Sequence, residues 1–433
     1  MRYTYNRMLS LDSTHGGVDA SALAKTITSL TAYREHLQRV ARDPSFSEDE
    51  SSVALPFLET SQRAVSTPSL RFIIIIGIGG SNLGTMAMYD VLFGKDDAFR
   101  SRTPKMLFLD TVSTSALRAV ESVLLRCTSQ DEFAIFVISK SGATTETIAN
   151  AEALHASLAA LFPDVLTRFT AITDEGSALW QHAEELGITK LAIPKTVGGR
   201  YSIFSNVGLA PLSMIGVDVD GLLDGARRAV RDCTAMGEIN PAAVSAAHTY
   251  LHAQNGMRIH NTFLFDPDLE SLGKWYRQLL AESIGKSHDV GVTPIVSIGS
   301  TDLHSMAQLY LAGPHDKFTN FITRPAPDDD AATPSTSPFT GLVDNIEHKT
   351  FGTVMSAIVG GVTSAYAEQQ LPFLSMHLID RSPQSLGYFM QMRMIETMYL
   401  ARLFAVNAFD QPAVEMYKKG TRELLSTPGN PTR

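Results

Sequence analysis

The sequence predicts an α/β protein built on mostly parallel sheets, and three observations carry that prediction. Two apolar runs without alternation, residues 73–76 and 134–138, suit strands buried on both faces. Each run ends in a turn rich in glycine or hydroxyl side chains and leads into a helical pattern. Strand-like and helix-like stretches then alternate along most of the chain, as crossover connections between parallel strands require.

Taken in order, residues 1–45 read as an arm with one helix over 20–40. Helical patterning continues over 53–64 and stops before Pro68. The first strand, 73–76, is four isoleucines, closed by Gly77, Gly79, Gly80, Ser81 and Asn82. A helix follows over 83–92, then a strand over 106–109 and a helix over 115–126. The 134–138 strand feeds the turn Ser139-Lys140-Ser141-Gly142-Ala143-Thr144 and a helix reaching 161. Further strands are expected at 169–172 and 190–193. Residues 197–202 form a glycine turn presenting Arg200. A second α/β unit begins near 220, with helices over 220–231, 241–255 and 269–284 and strands over 260–265 and 292–298. The Pro-, Asp- and Ser-rich stretch 325–338 cannot bury a core and reads as a surface loop. Helices over 352–367, 386–405 and 413–425 complete the chain, and the fall in apolar content beyond 425 reads as a frayed tail.

A chain of 433 residues accommodates two or three domains. Its net charge of −9 argues against non-specific nucleic-acid binding, which needs basic surface. Cys127 and Cys233 give no disulfide or metal spacing and read as reduced thiols, and the N-terminal residues contain no apolar signal-like core, so a cytoplasmic location is expected. The longest apolar stretch, 386–406, carries Arg393, Glu396 and Arg402, so it reads as a buried or amphipathic helix and no membrane partner is expected.

Strand, glycine turn, hydroxyl, helix start: this order brings backbone N–H groups to an anion. A dinucleotide fingerprint fails because Asn82 stands where its third glycine belongs, and Leu280 breaks a Walker A reading of Gly285-Lys286-Ser287. The Ser139–Thr144 turn alone could be an ordinary helix cap. Two such turns, each after a buried strand, favour a phosphate-bearing ligand at the carboxyl ends of one sheet. Glu282, Arg200 and His304, each taken alone, could equally be solvated or structural. Met390, Met392, Met394 and Met398 read as core.

Together, the segments GIGGSNLG, ISKSGATTET, VGGRYSIFSNVGL, LLAESIGK, STDLHS and NAFDQPAVEMYKK resemble the glucose-6-phosphate isomerase (phosphoglucose isomerase) family in its compact bacterial form, in order from about 45 to 425. The resemblance implies two sugar-isomerase (SIS), flavodoxin-like domains: an N-terminal helical arm 1–45, domains 46–219 and 220–405, and a C-terminal helix and tail 406–433. It implies aldose–ketose isomerisation of glucose 6-phosphate and fructose 6-phosphate through ring opening and a cis-enediol, without metal or cofactor. By motif, Glu282 matches the carbon base and Arg200 the enediolate cation. His304, contributed across a homodimer interface, matches the ring-opening group, with Lys418 sharing that role. Ser81, Ser139, Lys140, Ser141 and Thr144 match phosphate contacts. Gly80, Gly199, Gln278 and Gln411 match further substrate contacts. Ala143, Ala408 and Ala413 depart from the family's usual residues beside these positions without removing a polar role. The alternatives are a related isomerase that also accepts mannose 6-phosphate and a non-catalytic sugar-phosphate-binding SIS protein. The latter would need the phosphate turns but not Glu282, Arg200 and Lys418 together.

Overall fold

The computed structural model describes residues 2–5, 9–12, 17–43, 45–58, 67–236 and 240–426. The strands are β1 (Arg2–Tyr5), β2 (Leu9–Asp12), β3 (Phe72–Ile76), β4 (Lys105–Leu109), β5 (Phe133–Ile138), β6 (Phe169–Asp174), β7 (Thr189–Ile193), β8 (Ile259–Leu264), β9 (Thr293–Ile298), β10 (Lys317–Thr323) and β11 (Phe373–Leu378). The helices are α1 (Ala20–Ser29), α2 (Thr31–Val40), α3 (Leu83–Phe93), α4 (Thr114–Leu124), α5 (Thr145–Ala159), α6 (Ala178–Glu185), α7 (Asn206–Met214), α8 (Val219–Thr234), α9 (Pro241–Gln254), α10 (Glu270–Ile284), α11 (Leu303–Ala312), α12 (Phe351–Glu368), α13 (Pro383–Leu403) and α14 (Val414–Ser426).

These elements form two sheets flanked by helices. The first has the order β4-β3-β5-β6-β7, parallel throughout. Ile73–Ile76 and every residue of β5 are buried, which is why neither run alternates. The second sheet has the order β1-β2-β11-β10-β8-β9. Its parallel part, β11-β10-β8-β9, repeats the order of β6-β5-β3-β4 in the first sheet. In both sheets the strand order reverses beside the first strand of the unit, which opens a crevice at the carboxyl ends.

Three expectations are corrected. The arm is not wholly helical: β1 and β2 form a hairpin, and β2 extends the second sheet antiparallel to β11. A four-residue strand without a core of its own depends on a partner more than 350 residues away, which local pattern does not reveal. The single helix over 20–40 is two helices that meet at Leu30, a fully buried residue. Helical patterning over 53–64 resolves into two short 3₁₀ turns, Asp49–Val53 and Leu55–Phe57, with 59–66 outside the described residues.

α13 is buried along nearly its whole length and supplies the central core with Met390, Met392, Met394 and Met398. Its charges survive there by pairing. Arg393 Nη1 meets Glu396 Oε2 at 2.7 Å, both side chains fully buried, and Ser245 donates to Glu396 Oε1 at 2.5 Å. No helix among the described residues is long and apolar enough to cross a membrane.

Candidate active site

Three loops of the first sheet converge. The turn after β3, Gly79–Ser81, and the turn Gly199–Tyr201 after β7 are both 3₁₀. β3 and β7 lie three strands apart, about 14 Å, so the chain after β7 must run back over the sheet's end. Gly80 is where it lands: a Cβ there would stand 2.2 Å from the Gly199 carbonyl carbon and 2.5 Å from the Arg200 nitrogen. Only a glycine permits that backbone contact. The third loop follows β5. A Cβ on Gly77 would stand 2.9 Å from the Ser81 Cβ and 3.1 Å from the Ile138 oxygen, so Ser81 adjoins the start of the Ser139 turn. These loops sit at the crevice beside β3 and β5.

Within the turn after β5, the hydroxyls of Ser139 and Thr144 hydrogen-bond at 2.8 Å. The Ala143 N–H donates to Ser141 Oγ at 3.3 Å. Lys140 donates through Nζ to the Lys195 carbonyl at 2.6 Å. Burial pushes the Lys140 ammonium down from its ordinary pKa, opposed by the charges of Asp174 and Asp49. The turn thus holds hydroxyls and a cation at the start of α5, a composition suited to a phosphate monoester.

The acid and the cation come from other elements. Glu282 lies in the last turn of α10, and its carboxylate accepts from Arg200 Nη1 at 3.1 Å and from Gln278 Nε2, one helical turn earlier, at 3.0 Å. The carboxylate is thereby held from both oxygens while its side chain keeps 32% exposure. Arg200 is buried and spends every N–H within the chain. Nε donates to Ser283 Oγ at 2.9 Å, and Nη1 donates also to Gln411 Oε1 at 2.8 Å. Nη2 donates to the carbonyls of Ala408 at 2.6 Å and Asp410 at 3.2 Å. Behind it, Tyr201 Oη and Ser283 Oγ share a hydrogen bond of 3.0 Å. A carboxylate fixed next to a guanidinium, within reach of an anion pocket, is equipped for proton transfer at carbon beside a carbonyl.

The fold thus gathers Gly80, Gly199, Arg200, Gln278, Glu282 and Gln411 into one cluster, with Ser81 beside the Ser139–Thr144 turn. It does not bring two expected residues there within the chain. His304, exposed at the start of α11, makes no hydrogen bond or ion pair with the cluster among the described residues. Lys418, on α14, pairs with Glu415 at 2.8 Å. Ser283, Tyr201 and Asp410 belong to the cluster's surroundings without having been singled out, and Lys286, which also belongs there, entered only in the rejected Walker A reading. Their adjacency to Glu282, Arg200 and Gln411 in sequence was the available signal. Asn82, read only as a missing glycine, is buried, and neither end of its amide has a hydrogen-bond partner among the described residues.

One group among the described residues has the spacing of metal ligands: His36, Glu48 and Glu50, with ligating atoms within 4.8 Å of one another. There His36 Nε2 faces Glu50 at 3.4 Å and Nδ1 faces Arg39 at 3.4 Å, an arrangement satisfied without an ion.

Comparison with known proteins adds a family. Residues 59–303 match the family model described as phosphoglucose isomerase. The chain is similar to the glucose-6-phosphate isomerase of Rubrobacter xylanophilus, 32% identical over 381 residues that span 86% of each protein. It is also similar to a glucose-6-phosphate isomerase of Thermus thermophilus, 32% identical over 83% of this chain and 85% of that one. A crystal structure of a hypothetical protein from Thermus thermophilus superposes with a TM-score of 0.82 at 30% identity, over 97% of this chain and all of the other. A glucose-6-phosphate isomerase structure from Chlamydia trachomatis shares the fold, with a TM-score of 0.76 at 18% identity over 98% and 90% of the two chains.

Proposed function

The chain belongs to the phosphoglucose isomerase family, and from that premise we propose that it interconverts D-glucose 6-phosphate and D-fructose 6-phosphate with Glu282 as its carbon base. The reaction is the aldose–ketose isomerisation shared by glycolysis and gluconeogenesis. The observation that carries the residue assignment is the grip on the Glu282 carboxylate, with Arg200 on one oxygen and Gln278 on the other.

The sugar phosphate anchors in the crevice between β3 and β5, its phosphate on Ser81, Ser139, Lys140, Ser141 and Thr144. Binding there orients carbons that lie remote from the phosphate. Ring opening takes a proton from the anomeric hydroxyl and gives one to the ring oxygen, work for His304 and Lys418. Glu282 then removes the C2 proton of the open aldose. Electrons shift to the C1 oxygen, and the cis-enediolate lies beside Arg200, whose charge offsets the new negative charge. A proton passes from the C2 hydroxyl to the C1 oxygen, Glu282 returns its own proton to C1, and the carbonyl forms at C2 of the ketose. Gln411 and the backbone at Gly80 and Gly199 line the same space.

We further propose a homodimer in which His304 serves the neighbouring chain's site. Two features support that reading. His304 is exposed on α11, and α11 packs with α12 on one side of the second sheet. Nearby in the chain, Phe339, Leu342, Val343 and Phe351 are exposed apolar residues that a second copy would cover. We also propose the division into an arm (1–45), two domains (46–219 and 220–405) and a C-terminal segment (406–433), which the separation of β3–β7 from β8–β11 into two sheets supports, the β1–β2 hairpin apart. The buried free thiols Cys127 and Cys233 suit a reducing cytoplasm.

Loss of C2 proton exchange is the test. Glu282→Gln lowers exchange of the C2 proton of glucose 6-phosphate with solvent by about 10²- to 10⁴-fold, whereas rates near wild type would remove Glu282 from the role. Parallel assays on mannose 6-phosphate decide whether the pocket is restricted to the glucose epimer.

A further inference from the structure

Residues 404–413 form a strap between α13 and α14 that carries Gln411 into the site and leads to Lys418. Apolar packing holds its first half, where Phe404, Val406, Ala408 and Phe409 lie against the central core, and no residue from Asp410 to Ala413 joins that packing. Ala408 is its one buried residue, and α14 has no buried residue. Phe409 lies against Tyr201, ring centroids 5.3 Å apart. Polar fastenings do the rest, and they come from two cations. Arg200 grips the carbonyls of Ala408 and Asp410 and the Gln411 amide oxygen. Lys286 grips Asp410 twice, through its backbone carbonyl and through Oδ1 at 2.9 Å.

These two fastenings differ in what catalysis asks of them. All five Arg200 N–H donors are spent inside the chain. Donation to an enediolate oxygen therefore requires Arg200 to release one partner, and several of its partners belong to the strap. Lys286 has no such conflict. It follows Gly285, the residue that caps α10, four positions beyond Glu282, so it ties the strap to the helix that bears the base. Its ammonium-bearing side chain is only 13% exposed, whereas Asp410 is 52% exposed. Burying a lysine costs solvation that this one contact offsets.

We propose that Lys286 is a positioning residue, which keeps the 404–413 strap, and with it Gln411 and Lys418, seated while Arg200 turns a donor to the substrate. This rests on the isomerase reading above, and it assigns to Lys286 no contact with substrate.

The test compares wild type, Lys286→Met, Lys286→Arg and Asp410→Asn by steady-state kinetics on fructose 6-phosphate and by amide exchange over 404–418, with and without that substrate. The expected result for Lys286→Met is a fall in kcat of about tenfold, a change in KM of less than about threefold, and faster exchange confined to the strap and α14. Lys286→Arg restores most of kcat, and Asp410→Asn, altered on the exposed partner, falls between the two. Unchanged kcat in Lys286→Met overturns the proposal. So does a loss of kcat with unchanged exchange, or a rise in KM alone, since either marks a direct substrate contact. Should Lys286→Met fail to fold, wild-type kcat and exchange in Asp410→Asn overturn it. Wild-type turnover judges the isomerase reading separately, and exchange in the free protein judges the clasp whether or not that reading stands.

Discussion

At the scale of single residues, burial shifts the titration of groups in the site and behind it. Lys140 is one, and Asp90, on the face of α3 turned towards α10, is another. Burial pushes the Asp90 carboxyl up from 3.8 to about 6, with the charges of Asp268 and Glu270 adding to the rise, while a hydrogen bond from Ser271 at 2.5 Å and the charge of Lys95 oppose it. A folded-state pKa above the unfolded one favours the fold at low pH, and that advantage is lost as pH rises through about 6. Asparagine keeps an acceptor for Ser271 without the charge. Asp90→Asn should therefore raise unfolding free energy at pH 8 by up to about 3 kcal/mol, and leave it nearly unchanged at pH 4. Urea titrations at the two pH values check this, and an equal effect at both would mean that the fold does not raise the Asp90 pKa. Nothing in sequence marked Asp90, because its environment is built by α10, some 180 positions later. Glu282, Arg200 and Gln411 were legible only because their flanking motifs are distinctive.

At the scale of elements, the decisive contact is backbone on backbone. The turn after β3 and the turn after β7 meet at Gly80 and Gly199, and that meeting carries Arg200 from the sheet's edge to its centre. Gly80→Ala places a methyl where the Gly199 carbonyl carbon stands, with main chain on both sides and nothing flexible to yield. The two turns must separate, Arg200 moves with them, and kcat/KM falls by about 10²-fold or more, while the melting temperature drops less than for a core truncation. Retained kcat/KM in a folded Gly80→Ala protein would contradict this geometry. The runs that became β3 and β5 announced themselves by composition. The β1–β2 hairpin did not, because its pairing partner lies at the far end of the chain.

At the scale of the molecule, the parallel parts of the two sheets share one strand order, yet among the described residues the hydroxyl-rich turns lie at the crevice of the first. The corresponding crevice of the second sheet is filled by ion pairs. Arg324, after β10, meets Asp266 at 2.5 Å and Asp268 at 2.6 Å, both after β8, and its remaining nitrogen donates to the Val91 carbonyl of α3 at 2.9 Å. That crevice serves to dock the first unit on the second, and α3 and α10 lie side by side, which brings the Gly79–Ser81 turn to Gln278 and Glu282. One chain still lacks His304 at its own cluster. Mixing inactive Glu282→Gln and His304→Ala proteins tests whether a neighbour supplies it. Random exchange in a homodimer should restore about a quarter of wild-type activity, one intact site in half of the dimers. Exchanged chains without activity would place the ring-opening group within a single chain.

The sequence by itself determined the α/β class, the buried strands and the two hydroxyl turns, because each follows from neighbours within about ten residues. Its motifs also singled out Glu282 and Arg200, which the fold brings into contact. The tertiary structure alone decided that Glu282 would be held from both oxygens, that Arg200 would be saturated by Glu282, Ser283 and a strap over 200 residues away, and that the second crevice would be closed by charge. Those outcomes depend on loops from distant strands meeting at glycine-sized gaps, and a packing distance of that kind is written in no local pattern.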